Sequence, residues 1–175
     1  MEVWAVLVAL AGGFVWRVLA YNRFVLQLQQ VQATWSEIDG ELRRRFDAVP
    51  AIVDLVRPYA GREVDLLERV LDARAAALRA AGSPAALAAA LAPFEALLAR
   101  LVDLAGSVPE VRDGAAFRRL EEELAMTEDR IAGRRGVYNG RVADLNRRVR
   151  AFPSSLVARV SGIGEAEYFR VGPVA

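Results

Sequence analysis

The sequence predicts an all-α protein in which an N-terminal transmembrane helix is followed by an antiparallel up-and-down four-helix bundle. Three observations support this fold class. Residues 3–20 are apolar and nearly uncharged, residues 21–153 repeat apolar side chains every three or four positions, and no stretch of useful length alternates as a strand does. We therefore expect a membrane anchor over 1–20, the bundle over 21–153 and a tail over 154–175 that packs on the bundle.

The composition removes whole classes of catalyst. The chain has 175 residues, all 23 basic side chains are arginine, and cysteine and histidine are absent. Thiol nucleophiles, imidazole bases, Schiff-base lysines and the ordinary zinc ligands are therefore missing. The 22 acidic residues leave a net charge of +1, so no overall basic field favours nucleic acid. We expect no catalytic activity, no cofactor, no metal and no nucleic-acid partner.

The apolar run Val3–Ala20 is long enough to span a bilayer. As a helix rising about 1.5 Å per residue it reaches roughly 27 Å, close to the roughly 30 Å of a hydrocarbon core. No face of the run is polar, Trp4 and Trp16 bracket it, and Arg17 can extend its guanidinium to the headgroups. The residues predicted to form the anchor are Val3, Trp4, Leu7, Leu10, Gly12, Gly13, Phe14, Trp16 and Arg17.

Two other interpretations of this run stay open. Residues 18–20 (Val-Leu-Ala) resemble a signal-peptide cleavage site, which predicts a secreted or soluble helical binding module, but Glu2 stands where a signal carries basic residues. A buried helix of a soluble protein is the third interpretation, and the absence of a polar face weighs against it. Arg17 and Arg23 after the run favour a bundle on the cytoplasmic side.

Four amphipathic helices are predicted after the run. The first continues directly from the anchor. The second begins near Pro50, bends at Pro58 and ends before Gly82, and the third covers about 84–105. The fourth extends over about 115–151 and carries an apolar residue at every seventh position. The apolar stripe of the first helix contains Phe24, Leu28, Val31, Trp35, Ile38 and Leu42.

The end of the fourth helix is well marked in the sequence. Pro153 is predicted to end it, and Gly133, Gly136 and Gly140 are predicted to let a neighbouring helix approach closely. The tail lacks a helical stripe, so the aromatic pair at 168–169 is its expected contact with the bundle. The heptad positions are Phe117, Leu124, Ile131, Tyr138, Leu145 and Phe152.

Polar residues on the helices are interpreted as structural. Asn139 and Asn146 are seven residues apart, so they share a helix face and are expected to hydrogen-bond to a neighbouring helix. The arginines within 43–45 and 141–150 are expected to form ion pairs or face water, with anionic lipid headgroups as the alternative. The three carboxylates at 121–123 point in different directions around a helix, so they do not converge on one ion.

Short motifs recur at fixed places along the predicted helices. They are Tyr21-Asn22, Trp35, Asp39, Pro50, Tyr59, Glu63, Phe117, Leu124, Tyr138-Asn139, Asn146, Phe152-Pro153 and Tyr168-Phe169. With this joint spacing the chain resembles the LemA family of bacterial membrane-associated proteins. The resemblance implies a four-helix bundle behind an N-terminal membrane segment, with packing roles for these residues. It also implies a single-pass protein of the bacterial cell membrane that organises membranes and does not catalyse a reaction.

These features together predict a membrane-anchored scaffold or interaction protein. The expected partners are the lipid bilayer and a membrane or peripheral protein, which includes a second copy of the chain. The exposed faces of the first and fourth helices are the expected contact surfaces. Gly12-Gly13 would assist helix association within the bilayer.

Overall fold

The computed structural model describes residues 1–171, and every regular element in that range is helical. The all-α prediction, with an apolar helix at the N-terminus, is confirmed. The end of the predicted tail, 172–175, lies outside the described residues. The helices are α1 (Glu2–Val56), α2 (Val64–Ala80), α3 (Pro84–Ser107), α4 (Pro109–Arg112), α5 (Ala115–Arg150) and α6 (Ser154–Val160), and two 3-10 turns (Arg57–Tyr59 and Gly61–Glu63) precede α2.

Helix α1 continues through Pro50, so the predicted start of a second helix at Pro50 is wrong. A proline inside a helix leaves the carbonyl group four residues earlier without its usual N–H donor. In this protein the Phe46 carbonyl accepts a hydrogen bond from Arg74 Nε at 2.7 Å. The arginine on α2 therefore replaces the missing donor, and the helix passes the proline.

The chain breaks at Pro58, where the sequence predicts only a bend. Helix α1 ends at Val56 because Pro58 has no N–H to donate and its ring crowds the preceding turn. Gly61, in the second 3-10 turn, has a φ of +50°, which favours glycine. Tyr59 lies in the first turn with 47% of its surface exposed, so its predicted packing role is wrong.

Helices α2 and α3 pack against each other around a short connection. Ser83 caps α3, because its hydroxyl oxygen accepts a hydrogen bond from the Ala86 N–H at 3.2 Å. The predicted boundaries here are confirmed, since α2 ends before Gly82 and α3 begins at Pro84. The buried residues of α3 are Leu87, Ala88, Leu91, Phe94, Leu98, Leu101 and Ala105.

Contacts divide the chain into two compact units. The first contains Met1–Trp35 and Val137–Ala166, and the second contains Ser36–Gly136 with the described part of Glu167–Ala175. The predicted division into anchor, bundle and tail rests on the expected surroundings of each segment and not on internal contacts, so it stays a prediction. The buried apolar residues of the first unit are Phe24, Val31, Tyr138, Val142, Leu145, Val157 and Ala158, whereas Leu28 is exposed.

The second unit has a core formed by segments of α1, α2, α3 and α5. The rings of Phe46 and Phe94 meet edge to face, with their centroids 5.1 Å apart and an interplanar angle of 78°. The apolar stripes therefore point inward as the sequence predicts. Fully or nearly fully buried residues include Ile38, Leu42, Val49, Ile52, Leu66, Val70, Leu91, Leu101, Phe117 and Leu124.

The predicted end of the fourth helix near residue 151 is confirmed, but the residues that follow α5 are mispredicted. Helix α5 stops at Arg150, so Phe152 no longer follows the helical phase and is 82% exposed. Its predicted packing is therefore wrong. The tail also contains helix α6, which the sequence does not predict, whereas the predicted contact at 168–169 is supported by the complete burial of Phe169.

The three glycines of α5 face open space. No atom of another element lies within 4 Å of a Cβ placed at Gly133, Gly136 or Gly140. The prediction that they admit a neighbouring helix is wrong for the described residues. Each glycine instead weakens α5 by about 1 kcal/mol relative to alanine.

Candidate functional site

The most distinctive surface is the apolar first part of α1. Every side chain from Met1 to Leu19 is exposed, including Trp4 at 75% and Leu10 at 65%. Apolar surface in water costs about 25 cal/mol per Å², and soluble proteins rarely leave a continuous patch of this kind uncovered. The first part of α1 therefore requires lipid or another apolar environment.

All nine residues predicted for the anchor lie on this exposed part of α1. Two helical stretches of the described chain are long and apolar enough to cross a membrane: α1 together with the 3-10 turn that follows it (Glu2–Tyr59), and α3 (Pro84–Ser107). Only 6% of the most apolar 18-residue stretch of the first is buried, whereas 33% of the corresponding stretch of the second is buried. The second is a core helix that buries one face, so the first is the candidate membrane helix.

Charge is distributed unevenly between the two units. The unit that carries the apolar run holds seven arginines and three acidic side chains, whereas the other holds sixteen arginines and nineteen acidic side chains. Within residues 1–171, Arg17, Arg23, Arg148 and Arg159 of the first unit form no ion pair. The apolar surface is therefore accompanied by unneutralised positive charge.

A cleft of about 280 Å³ lies where the apolar run ends. Residues 16, 19 and 23 of α1 are spaced three and four apart, so they share one face of the helix. The Ser154 hydroxyl lies 2.8 Å from the Arg148 carbonyl oxygen and 2.9 Å from that of Ala151, which fixes the turn between α5 and α6. The cleft is lined by Trp16, Leu19, Arg23, Arg148, Pro153 and Ser154.

Asn146 connects α5 to the C-terminal segment. Its Nδ2 donates to the Ala166 carbonyl at 2.9 Å, and its Oδ1 accepts from the Ala166 N–H at 2.8 Å. Only 1% of its surface is exposed. The prediction of a structural amide is correct in kind, but the partner is the backbone of a segment without regular secondary structure and not a helix. Asn139 is half-buried and also interacts with other groups.

A largely buried ion pair holds α1 to α3 in the second unit. Arg45 Nη2 lies 2.6 Å from Glu95 Oε2, and Nη1 also binds Glu128. Burial raises the pKa of Glu95 to about 7, although Arg45 acts to lower it and Glu128 acts to raise it. The arginine engages both carboxylates, so this cluster is organised to fix the positions of the helices.

The remaining motif residues differ in burial and in the groups that they contact. The rings of Trp35 and Tyr138 lie 5.4 Å apart, and Asp39 accepts from Arg43 Nε at 2.7 Å. Tyr168 lies under the Arg170 guanidinium at 4.6 Å. Of the others, Phe117 and Leu124 are buried, Glu63 lies 3.7 Å from Arg100, and Pro153 follows a cis peptide bond. Tyr21 and Asn22 are exposed directly after the run, so their predicted packing role is wrong.

The ion pair of Arg45 and Glu95 is not among the sequence predictions, although the position of Arg45 in the sequence indicates it. Arg45 lies three residues after Leu42 and four before Val49, so it occupies a position of the apolar stripe. An arginine at such a position must find a buried partner or leave the helix face. No comparable signal marks Arg74, whose role depends on the distant Phe46 carbonyl.

Comparison with known protein families supports the resemblance drawn from the sequence motifs. A model of the LemA family matches residues 34–175, which is most of the chain. The chain belongs to the LemA family. The predicted resemblance is therefore confirmed, and the LemA match covers α2 to α6 together with the last part of α1.

Curated relatives of this LemA-family chain include proteins of bacterial magnetosomes. They are the magnetosome protein MamQ of Magnetospirillum gryphiswaldense and the magnetosome proteins MamQ 1 and MamQ 2 of Paramagnetospirillum magneticum. Each is 24% identical over 180 residues, which cover 89% of this chain and 66% of the relative. The chain thus spans slightly less than two thirds of their length.

Proposed function

We propose that this LemA-family protein is a single-pass, membrane-anchored scaffold that binds partners and does not catalyse a reaction. The exposed apolar surface over residues 1–19 carries the proposal. A continuous helix satisfies its own backbone hydrogen bonds, so only its side chains need an apolar solvent. The extension of α1 beyond Ala20 supports a retained anchor, because one helix then joins the lipid to the rest of the chain.

We propose an antiparallel up-and-down arrangement for the four long helices of the chain. The connections after α1, α2 and α3 are short, which favours antiparallel neighbours. The charge pattern around the run favours the cytoplasmic side for this bundle, and we propose that orientation. Proposed partners are the bilayer and a membrane or peripheral protein, including a second copy, which would bind the exposed faces of α1 and α5.

Replacing Leu10 by arginine tests the anchor. Leu10 lies near the middle of the apolar run, where an arginine costs about 2.5–3.5 kcal/mol of insertion free energy. We expect wild-type protein to stay in the membrane pellet after a carbonate wash and Leu10→Arg to lower that retained fraction by at least half. The measurement is immunoblotting of the pellet and the supernatant.

Leu26→Arg is the matched control. Leu26 is also exposed on α1, at 57%, but lies beyond the apolar run, so the same substitution should leave retention unchanged. Release of the wild-type protein by carbonate would refute the anchor. Equal release by the two arginine variants would show that the position in the run does not matter.

Cysteine labelling tests the proposed orientation. Since the chain has no cysteine, Ala132→Cys on the exposed face of α5 creates a single thiol. We expect a membrane-impermeant maleimide to label it only after the cells are permeabilised. Labelling in intact cells would place α5 on the outer side.

The alternative is a secreted helical binding module released by cleavage after Ala20. The small-residue sequence before that position favours it. Mass spectrometry of the mature protein separates the two functions. An N-terminus at Tyr21 would support the secreted module and exclude the anchor, whereas a retained run supports the anchor.

A further inference from the structure

We propose that the cleft at the end of the apolar run binds the phosphate group of an anionic membrane phospholipid. The inference rests on the proposed membrane function and adds the chemical class of lipid. Its two cationic residues, Arg23 and Arg148, come from different helices of one compact unit. The cleft is thus formed by the fold and not by one helix alone.

The position of the cleft matches the level of a phospholipid headgroup. Trp16 and Leu19 belong to the apolar run, whereas Arg23 lies three residues beyond its end at Ala20. At about 1.5 Å per residue, Arg23 is only about 4.5 Å farther along the helix axis than Ala20. Tryptophan also favours this interfacial zone. A headgroup beside α1 would therefore lie within the cleft.

The arginines of the cleft are available for a ligand. Within residues 1–171, Arg23 and Arg148 form no ion pair, whereas Arg147 and Arg150, neighbours on α5, each bind a carboxylate at 3.1 Å. The described part of the chain thus neutralises the arginines beside the cleft and leaves the two that line it without a counter-ion. A bound anion would supply the missing charge.

The cleft also has the chemical asymmetry of a phospholipid. Guanidinium groups present planar sets of N–H donors that suit phosphate oxygens. Trp16 and Leu19 present apolar surface on the side of the run, where a glycerol backbone and acyl chains would lie. The Ser154 hydroxyl is already held by backbone carbonyls, so its part is to shape the wall. A free phosphate ion would leave the apolar wall without a partner.

Native mass spectrometry of the full chain from nanodiscs tests the proposal. Nanodiscs of phosphatidylcholine with about one fifth phosphatidylglycerol supply neutral and anionic headgroups of similar size. We expect wild-type protein to retain phosphatidylglycerol in preference to phosphatidylcholine. Arg23→Gln/Arg148→Gln should lose that preference by about tenfold, while Arg62→Gln/Arg159→Gln, which removes two unpaired arginines outside the cleft, should stay within twofold of wild type.

Further variants separate binding from folding and from bulk charge. Arg23→Gln alone changes an exposed side chain and should lower retention severalfold even if the double variant does not fold. Arg23→Lys/Arg148→Lys keeps the charge and should retain part of the preference. Inorganic phosphate at about 10 mM should not displace the lipid. Full displacement would assign the cleft to free phosphate and overturn the proposal.

The remaining outcomes are equally decisive. Equal lipid retention by wild type and Arg23→Gln/Arg148→Gln would overturn the proposal, as would an equal loss in the Arg62→Gln/Arg159→Gln control. Insertion into pure phosphatidylcholine nanodiscs, with no preference in mixed ones, would overturn the cleft and leave the anchor intact. Failure to enter either nanodisc would overturn both.

Discussion

Arg45→Met is expected to lower the free energy of unfolding by about 3–5 kcal/mol at pH 8.5. The side chains of Arg45 and Glu95 are only 11% and 15% exposed, so the substitution leaves a carboxylate buried without its counter-charge. Urea unfolding of the full chain in nanodiscs, followed by circular dichroism, measures the change. The second unit therefore depends on keeping both partners of the ion pair. Removing Arg45 alone costs more free energy than the intact pair contributes to stability.

The same loss should shrink in acid. Burial raises the pKa of Glu95 to about 7, above its value of about 4.5 in the unfolded chain. Stability from this group is therefore fully present below pH 4.5 and is lost as pH rises through 7, by at most about 3 kcal/mol. At pH 5 the carboxyl is protonated, so Arg45→Met should cost less than at pH 8.5.

Glu95→Gln and Arg45→Met/Glu95→Leu are the controls for this prediction. The glutamine variant should remove the fall in stability between pH 5 and pH 8, because it keeps the shape and removes the ionisation. The double variant should recover most of the stability, since an apolar pair needs no counter-charge. A loss in Arg45→Met that is equal at both pH values would show that lost packing, and not charge, is responsible.

The sequence predicts the long helices because their signal is periodic and repeated. The stripe of the first helix and the heptads of α5 each give several independent positions, so an error at Phe152 leaves the element unchanged. The exposed run is equally easy to recognise in the sequence, because a helix surrounded by lipid needs only apolar side chains on all its faces. These features need no information about distant residues.

The two prolines show what local sequence cannot decide. Pro50 and Pro58 have the same covalent chemistry, yet α1 passes the first and breaks before the second. The two sites differ because Arg74, which is distant in the sequence, donates a hydrogen bond to the Phe46 carbonyl four residues before Pro50. Tertiary contacts of this kind place the helix boundary where propensity alone would not.

The candidate site was predictable only in part. Trp16 and Leu19 belong to the run itself, but the cleft also needs Arg148, which lies near the end of α5, close to the start of α6. The sequence does not predict α6, because its seven residues are too few to show a period. The fold, and not the local sequence, thus brings Arg23 and Arg148 to the same cleft.

Asn146→Leu is expected to destabilise the protein by about 2–4 kcal/mol. Leucine keeps the branching of the side chain at Cγ but leaves both backbone groups of Ala166 without their partner, and each lost hydrogen bond to a buried group costs about 1–3 kcal/mol. Ala166 is half-buried, so water can recover part of this cost. Hydrogen exchange of the segment 161–171 and urea unfolding of the full chain measure the change.

Asn146→Asp separates the two hydrogen bonds. An ionised aspartate can still accept from the Ala166 N–H, but it sets a second oxygen against the Ala166 carbonyl and buries a charge. A protonated aspartate can donate to that carbonyl as the amide does. We therefore expect this variant to be less stable than wild type at pH 8 and to recover as the pH falls to about 4. Stability that is independent of pH would show that the bidentate contact with Ala166 does not hold the C-terminal segment.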